Sequence, residues 1–277
     1  MRKSYSERQP RCSLPLVSVI IPTFQSGSTL GACLDSIRHQ TYQEIELIIV
    51  DAYSSDNTCN IGQSYGTRLI QLAAERCAAR NLGAKISRGD FVFFVDSDME
   101  LTPKVIEESL RICLNRNVDA VIIPEESVGD SFLARCKKLE KSMRQHETYG
   151  EAPRFFKRSV FEFLRGYAED LVIGEDFELT HRLRNNTFQI GRIKPIIKHH
   201  EENISLKNLT AKLYYYGKTL PNYARKTPSL TMKTSSPIRF YKNLSLLKQQ
   251  PSCFAGLCSL KLVEYSAYLT GAFFSFL

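Results

Sequence analysis

Two aspartates directly follow a run of apolar residues in the stretch "FVFFVDSDMEL", residues 91–101. A strand that is apolar at every position is typical of a parallel sheet covered on both faces, and such sheets bind ligands at the carboxyl ends of their strands. If the chain stays extended, Asp96 and Asp98 point the same way. Paired carboxylates bind hard divalent cations, and Mg²⁺ usually shares them with phosphate oxygens. The spacing therefore predicts a metal site and a phosphorylated ligand.

Two further acidic clusters lie at predicted strand ends or helix starts. Asp51 ends the apolar stretch "IELIIVD", and Asp56 follows it, well placed to cap the next helix. Glu175 and Asp176 open the predicted helix "GEDFELTHRLR", where the helix dipole favours acidic side chains. Because doubly wound sheets bring such ends together, we expect the three clusters to contribute to one site.

Short apolar strands alternate with amphipathic helices through the first half of the chain. Strands are predicted in "VSVII", "IELIIV", "TRLIQL", "FVFFV" and "DAVII". The helix between the first two has Leu30, Cys33, Leu34 and Ile37 on one face. This alternation predicts an α/β fold with a Rossmann-like, doubly wound, mostly parallel sheet and helices on both faces.

The chain beyond these strands is less regular. It contains a predicted helix in "SFLARCKKLEKSMRQ", a short strand in "PRFF" and a β segment in "FQIGRIKPIIK". Two helices follow, a basic, Tyr-rich one in "LKNLTAKLYYYGKTLPNYARK" and an apolar one in "CFAGLCSLKLVEYSAYLTGAFFSFL". Only Lys261 and Glu264 interrupt the second with charge. These two helices predict a helical C-terminal extension.

The positive charge is concentrated in that extension. The whole chain has a net charge of +8, whereas residues 205–277 alone carry ten Lys or Arg and a single acid. The uncharged end after Glu264 is shorter than the roughly 20 residues that span a bilayer, so an interfacial helix on an anionic membrane surface fits it better. The alternative is that the helices pack on the α/β domain or on a second subunit.

The cysteines and the N-terminus indicate a cytoplasmic protein. The eight cysteines have no paired metal-binding spacing, and several occupy apolar helix positions, which is typical of reduced core thiols. No signal-like apolar run follows the basic N-terminus. We therefore predict a cytoplasmic location, peripheral at the cytosolic face of a membrane.

Five stretches, in this order, resemble the motifs of family-two inverting glycosyltransferases with the GT-A fold: "VSVIIPTF", "LDSIRHQTY", "IELIIVDAYSSDNT", "AARNLGAKISRGDFVFFVDSDMELTP" and "GEDFELTHRLR". The resemblance covers residues 17–184. It implies a GT-A catalytic domain over residues 15–204, between a basic tail at 1–14 and the helical extension at 205–277. Processive members have a Gln-x-x-Arg-Trp motif, and this chain has no tryptophan, so a non-processive enzyme is expected.

The resemblance also implies an activity. Such enzymes transfer a sugar from a nucleotide-diphosphate sugar to an acceptor hydroxyl with inversion. By this resemblance Asp96 and Asp98 bind the donor diphosphate and a divalent metal, Mn²⁺ or Mg²⁺. Asp176 is implied as the general base, with Glu175 beside it. A glycan or a lipid-linked molecule is the expected acceptor, in the synthesis of a polysaccharide, glycolipid or surface glycan.

The donor side is implied by four positions. Pro22, Thr23 and Asp51 match residues near the donor base or ribose, and Arg80 matches an arginine before the metal motif, where a role in donor binding or in helix packing is open. Many relatives have a second Asp where this chain has Ala52, so the nucleotide base is not assigned.

Two adjacent histidines end the last predicted strand, close to where some relatives place a histidine metal ligand. We predict His200 as the ligand, with His199 as the alternative. An imidazole would favour Mn²⁺ over Mg²⁺. Arg154 and Arg182 could pair either with donor phosphates or with the acidic clusters.

Other functions fit less well. A dinucleotide-dependent oxidoreductase needs Gly-x-Gly-x-x-Gly after its first strand, and the chain has "PTFQSGSTL" there. A nucleotidyltransferase acting on sugar phosphates would have a Gly-rich loop with Arg and Lys at that point, which is absent. A non-catalytic GT-A-like scaffold is the other alternative. The acidic clusters argue against such a scaffold. The basic extension and its tyrosines would suit nucleic acid, which salt-dependent binding would support, but we expect no nucleic-acid partner.

Overall fold

The computed structural model describes residues 14–144, 150–200, 206–228 and 250–274, so that most of the predicted basic tail lies outside it. The strands are β1 (Val17–Thr23), β2 (Ile45–Asp51), β3 (Arg68–Gln71), β4 (Phe91–Phe94), β5 (Met99–Leu101), β6 (Ala120–Ile122), β7 (Glu125–Val128), β8 (Phe155–Lys157), β9 (Ile190–Arg192) and β10 (Ile197–His200). The helices are α1 (Leu30–Arg38), α2 (Thr58–Ser64), α3 (Arg76–Ile86), α4 (Val105–Asn115), α5 (Phe132–Arg144), α6 (Arg158–Phe163), α7 (Glu175–Asn185), α8 (Leu206–Lys226) and α9 (Pro251–Phe274).

A seven-stranded sheet has the order β3-β2-β1-β4-β8-β6-β9. The first four strands in this order are parallel, and Val17 of β1 lies opposite Ile45 on one side and Phe91 on the other. β8 runs antiparallel to both of its neighbours, and β6 and β9 are parallel. The predicted α/β fold with a mostly parallel sheet is therefore confirmed.

Strand β4 is apolar throughout because the sheet is covered on both faces. Phe91 and Phe93 belong to the core cluster on the side of α1 and α4, whereas Val92 and Phe94 belong to the cluster on the side of α3, α6 and α7. Each buried Phe contributes about 1.5–3 kcal/mol from removing its ring from water. Cys33 lies in the first cluster as a buried free thiol, as predicted.

A second, three-stranded sheet was not predicted from the sequence. Its order is β5-β10-β7, with β10 antiparallel to β5 and parallel to β7. His199 in β10 lies opposite Met99 and Ser127. The start of β10 lies in the predicted β segment, but β5 and β7 were not predicted, and no local pattern links three segments so far apart in the chain. This sheet brings the end of β10 to the turn that follows β4.

The chain does not stay extended through the two aspartates that follow β4, which corrects one expectation. Asp96, Ser97 and Asp98 form a turn, closed by a hydrogen bond of 3.1 Å from the Met99 amide to the Asp96 carbonyl. In a turn, side chains two positions apart no longer share a direction. The two carboxylates consequently have different neighbours.

The two C-terminal helices pack closely against each other. A Cβ atom added at Gly271 of α9 would lie 2.0 Å from the Tyr214 carbonyl oxygen, and one at Gly217 of α8 would lie 2.1 Å from the Tyr268 carbonyl oxygen. Helix α9 also packs on α5, where Leu257 and Cys136 share a core cluster. Among the described helices, none combines the length and the apolar character needed to cross a bilayer.

Candidate functional site

A cavity of about 450 Å³ opens at the carboxyl ends of β1 and β4. Strand β1 supplies Pro22 and Thr23, and the turn after β4 supplies Asp96 and Asp98. The remaining charged side chains of its lining are Glu75, Arg76, His199 and Lys212. The cavity therefore lies at the edge of the sheet where the sequence predicts ligand binding.

Asp98 and His199 face each other at this cavity. His199 Nε2 is 3.1 Å from Asp98 Oδ2, and the other ring nitrogen is 2.9 Å from Lys141 Nζ. Burial opposes a charge on His199, but hydrogen bonds to Asp98 and Glu125 outweigh it and raise the pKa of the imidazole to about 9. The second oxygen of Asp98, Oδ1, is buried and has no hydrogen-bond partner among the residues that the structure describes.

The structure places His199, and not the predicted His200, beside Asp98. Successive residues of a strand point to opposite faces, so only one member of the doublet can reach the cavity. His200 points the other way, with Nε2 2.7 Å from Glu100 Oε1. The alternation alone cannot decide which of the two histidines points into the cavity, because the register of the second sheet determines it.

Asp96 is held by two arginines. Its Oδ1 accepts a hydrogen bond of 2.7 Å from Arg80 Nη2, and its Oδ2 accepts one of 3.2 Å from Arg154 Nη1. Burial alone would raise the pKa of Asp96, but the charges of Arg80 and Arg154 keep it well below its ordinary range. Arg154 also binds Glu125 at 2.7 Å, so it pairs with acidic residues, one of the two roles open to it from the sequence.

Arg80 connects two of the predicted acidic clusters. The side chain is buried, and besides Asp96 it contacts Asp176 Oδ1 at 3.4 Å and Glu175 Oε1 at 3.5 Å. Its guanidinium lies 5.2 Å from the centre of the Tyr167 ring, an arrangement that favours a cation. Arg80 is not part of the cavity lining. It connects the turn that contains Asp96 to the start of α7.

The acidic pair that begins α7 divides into a buried and an accessible member. Glu175 is buried, and its Oε1 lies 2.5 Å from Arg76 Nη2. Burial and the charge of Asp176 raise the pKa of Glu175. The Asp176 side chain is 29% exposed. Asp176 is therefore the more accessible of the two carboxylates, although neither it nor Glu175 is part of the cavity lining.

Asp51 lies behind the cavity rather than in its lining. It is fully buried and accepts hydrogen bonds from Thr23 Oγ1 at 2.8 Å and from Ser54 Oγ at 2.6 Å. Burial alone would raise the pKa of Asp51, but these bonds and one from the Ser54 amide outweigh it and lower the pKa. The carboxylate thus joins the ends of β1 and β2 and orients Thr23, which does line the cavity.

Sequence reasoning missed two basic residues of the cavity. Arg76 lies one helical turn before Arg80 on α3, so their i, i+4 spacing was a usable signal. Lys212 comes from α8, far along the chain, and no local pattern links it to the sheet. Arg182, which the sequence offered as a partner for donor phosphates or for the acidic clusters, binds Glu178 at 2.6 Å on its own helix.

The donors that could hold a cation are Asp98 and His199. Within the described ranges, no three His, Cys, Asp or Glu side chains converge as they would on a metal ion. Asp98 Oδ1, which accepts no hydrogen bond from the described residues, and the neighbouring imidazole nevertheless form an oxygen and nitrogen donor pair, which suits Mn²⁺. Divalent cations commonly take their other ligands from phosphate and water. The residues therefore fit a cation that binds together with a phosphorylated ligand.

These features define a class of protein. A mostly parallel sheet has a cavity at its strand ends, and acidic and basic side chains line it. Residues 18–201 match the model of glycosyl transferase family 2, and the chain belongs to that family.

Among curated proteins, the chain is similar to the O-antigen chain rhamnosyltransferase WbaN of Salmonella anatum. The identity is 26% over 212 residues, which cover 69% of this chain and 67% of WbaN. The chain spans a smaller part of several other curated relatives, including 32% of the Escherichia coli glycosyltransferase YibD.

Solved structures share the fold. The S. aureus TarS 1-349 structure in complex with UDP-GlcNAc has a TM-score of 0.57 and 18% identity, covering 93% of this chain and 90% of that one. The mannosyltransferase PcManGT from Pyrobaculum calidifontis, in complex with GDP-Man and Mn²⁺, has a TM-score of 0.59 and 18% identity, covering 94% and 84%. The GT-A fold is thereby confirmed.

Proposed function

We propose that this protein transfers a sugar from a nucleoside-diphosphate sugar to an acceptor hydroxyl, with inversion and with the help of a divalent cation. One observation carries the proposal. Asp98, whose Oδ1 has no hydrogen-bond partner among the described residues, and its neighbour His199 share a cavity with the basic side chains of Arg76 and Lys212. A cation site beside two positive side chains suits a diphosphate.

Asp96 and Asp98 would have different roles. Asp98 and His199 would hold the cation, after His199 has lost its proton. The cation, when bound, stabilises the negative charge of the leaving nucleoside diphosphate. Asp96 would keep Arg80 and Arg154 in place, because both of its oxygens already accept hydrogen bonds from them.

Asp176 is proposed as the general base. It would accept the proton of the acceptor hydroxyl while that oxygen bonds to the anomeric carbon and the bond from this carbon to the diphosphate breaks. Attack from the face opposite the leaving group inverts the anomeric configuration. Arg80 contacts Asp176, and Arg76 pairs with the buried Glu175, which leaves Asp176 as the more accessible carboxylate.

Pro22 and Thr23 are proposed to contact the donor nucleotide, and Asp51 to act through Thr23. The nucleotide base stays open, because TarS is solved with UDP-GlcNAc and PcManGT with GDP-Man. The Mn²⁺ in the PcManGT complex supports a divalent cation. The O-antigen activity of WbaN supports a surface glycan or its lipid-linked precursor as the acceptor. We also propose a peripheral position at the cytosolic face of a membrane.

A thermal-shift screen tests the proposed donor. A nucleotide sugar at a hundred times its dissociation constant stabilises the folded state by about 2.7 kcal/mol. We expect one class of nucleotide sugar to raise the melting temperature in Mn²⁺ and to lose this effect when EDTA is added. No shift with any nucleotide sugar would support the scaffold alternative. In a separate assay, release of pyrophosphate from a nucleoside triphosphate in the presence of a sugar phosphate would support the nucleotidyltransferase.

A further inference from the structure

The outward side of α9 is apolar. Four side chains spaced three or four residues apart face away from the protein: Leu262 is 73% exposed, Tyr265 45%, Leu269 62% and Phe273 63%. We call these four residues the α9 outer face. At 100° per residue they lie on one side of the helix, opposite the buried Leu257, Leu260 and Glu264.

The charged residues of α9 are turned inward. The helix has only two of them, Lys261 and Glu264. Glu264 lies 2.5 Å from Lys137 Nζ, and Lys261 lies 2.7 Å from Glu140 Oε1 on α5. These two positive and two negative side chains balance one another, and each is at most 17% exposed. A surface helix normally has the reverse arrangement, with charge outside and apolar residues inside.

The extension that contains this face is strongly basic in sequence. Residues 206–250, which include α8 and lead into α9, contain nine Lys or Arg and no acidic residue. The single acid of the extension, Glu264, is neutralised by Lys137 and Lys261. An exposed apolar stripe thus belongs to an extension with net positive charge, of which the ion pair between Lys226 and Asp170 neutralises one unit. Both features are complementary to a bilayer that contains anionic phospholipid.

We propose that the α9 outer face binds the surface of an anionic phospholipid bilayer. The helix, about 36 Å long at 1.5 Å per residue, lies in the plane of the membrane. Its four side chains enter the boundary between headgroups and acyl chains, and neighbouring Lys and Arg side chains face the lipid phosphates. A second copy of the chain is a poorer occupant, because it would bring two basic segments together.

This surface is connected to the cavity through α8. Gly217 and Gly271 allow α8 and α9 to touch, so their relative position is fixed by backbone contact. Helix α8 in turn supplies Lys212 to the cavity, and its Tyr215 hydroxyl donates a hydrogen bond of 2.6 Å to Glu75. Docking of α9 would therefore hold the cavity at a constant distance from the membrane. The inference rests on the proposed peripheral position, but not on the transferase chemistry.

Vesicle co-sedimentation of the full chain tests the surface. The probes are vesicles of phosphatidylglycerol and phosphatidylethanolamine in equal parts, and vesicles of phosphatidylcholine alone. The test variant is Leu262→Gln/Leu269→Gln/Phe273→Gln. The matched control is Leu114→Gln/Phe163→Gln, whose side chains are 58% exposed on α4 and 65% exposed at the end of α6.

We expect the wild type and the control to bind the anionic vesicles, less tightly as salt is raised, and phosphatidylcholine more weakly. The triple variant should lose at least about tenfold in affinity. Equal binding of the triple variant and the control would overturn the inference, as would a wild type that stays in the supernatant. Conversion of a dimer to a monomer by the triple variant without lipid would assign the face to a second copy instead.

The same preparations distinguish this inference from the proposed function. All substituted side chains are exposed, so the melting temperatures should agree with that of the wild type. The single variant Leu269→Gln, with a smaller loss of vesicle binding, repeats the test if the triple variant does not fold. The donor-dependent shift in melting temperature should be unchanged in every variant. If the wild type binds vesicles but shows no donor-dependent shift in melting temperature, that result would contradict the transferase proposal alone.

Discussion

At the scale of single residues, Arg80 organises the site. The sequence predicts the acidic residues well, because each follows an apolar strand or begins a helix. It does not predict that one buried arginine contacts Asp96, Glu175 and Asp176 together. Such a contact depends on the packing of α3 between two distant segments, which no local pattern encodes. The role of Arg80 in donor binding, implied by resemblance, stays a prediction.

Replacing Arg80 with Met should strongly destabilise the protein. The substitution leaves three carboxylates near one another without their shared partner, and removing one member of a buried ionic group costs about 3–5 kcal/mol. The free energy of unfolding in urea measures this. Arg88→Met is the matched control, because Arg88 is 77% exposed and its partner Glu46 keeps hydrogen bonds from Ser18 and the Gly89 amide, so the loss should stay below about 1 kcal/mol. Equal losses in the two variants would contradict the role of Arg80.

Replacing Asp51 with Asn should destabilise the protein in a pH-dependent way. At pH 7 the loss of charged hydrogen bonds should cost about 1–3 kcal/mol. Because the pKa of Asp51 is lowered by folding, its stabilisation is present above the unfolded pKa of about 3.9 and is lost as the pH falls through the folded value. Melting temperatures between neutral and acidic pH should therefore converge for the wild type and the variant.

The control for Asp51 is Asp170→Asn, since Asp170 is 61% exposed. This variant should differ little from the wild type across the same pH range. A difference between Asp51→Asn and the wild type that stays constant down to acidic pH would show that the hydrogen bonds do not depend on the charge of Asp51.

At the scale of elements, prediction succeeded where patterns were long. The strands of the parallel half and the amphipathic helices have enough apolar residues for the period to be read. The sheet of β5, β10 and β7 was not predicted, because its strand order joins segments far apart in the chain. The register of that sheet places the side chain of His199, and not that of His200, beside the Asp98 carboxylate.

The crossing of α8 and α9 depends on two glycines. A Cβ atom at Gly271 would lie 2.0 Å from the Tyr214 carbonyl oxygen, so Gly271→Ala must push the helices apart. We expect faster proteolysis of the extension and a lower melting temperature. Gly31→Ala in α1 is the matched control, because its Cβ atom meets nothing within 4 Å. The control should gain about 0.5–1 kcal/mol from helix propensity, and a similar gain in Gly271→Ala would contradict the close crossing.

At the scale of the whole molecule, the chain combines a GT-A domain with a basic helical extension. Composition predicts the positive charge of the extension, and the five ordered motifs predict the fold. Neither predicts that Lys261 and Glu264 point inward or that Lys212 reaches the cavity. These are results of how the extension packs on the domain, where a balanced set of four charges accompanies the apolar contacts between α9 and α5. The division of the chain at residues 14 and 204 stays a prediction.

The central claim is that Asp98 serves the donor and its cation while Asp176 serves the acceptor. The most direct test measures donor binding and donor turnover side by side in Asp98→Ala and Asp176→Asn, with Mn²⁺ present. Asp170→Asn, a surface carboxylate, is the control and should behave as the wild type.

Asp98→Ala should lose the Mn²⁺-dependent part of donor binding, and with it turnover. Asp176→Asn should bind the donor as the wild type does, but lose about a hundredfold to ten-thousandfold in turnover. Turnover that survives in Asp176→Asn, or donor binding that needs no cation and is unchanged in Asp98→Ala, would contradict the account.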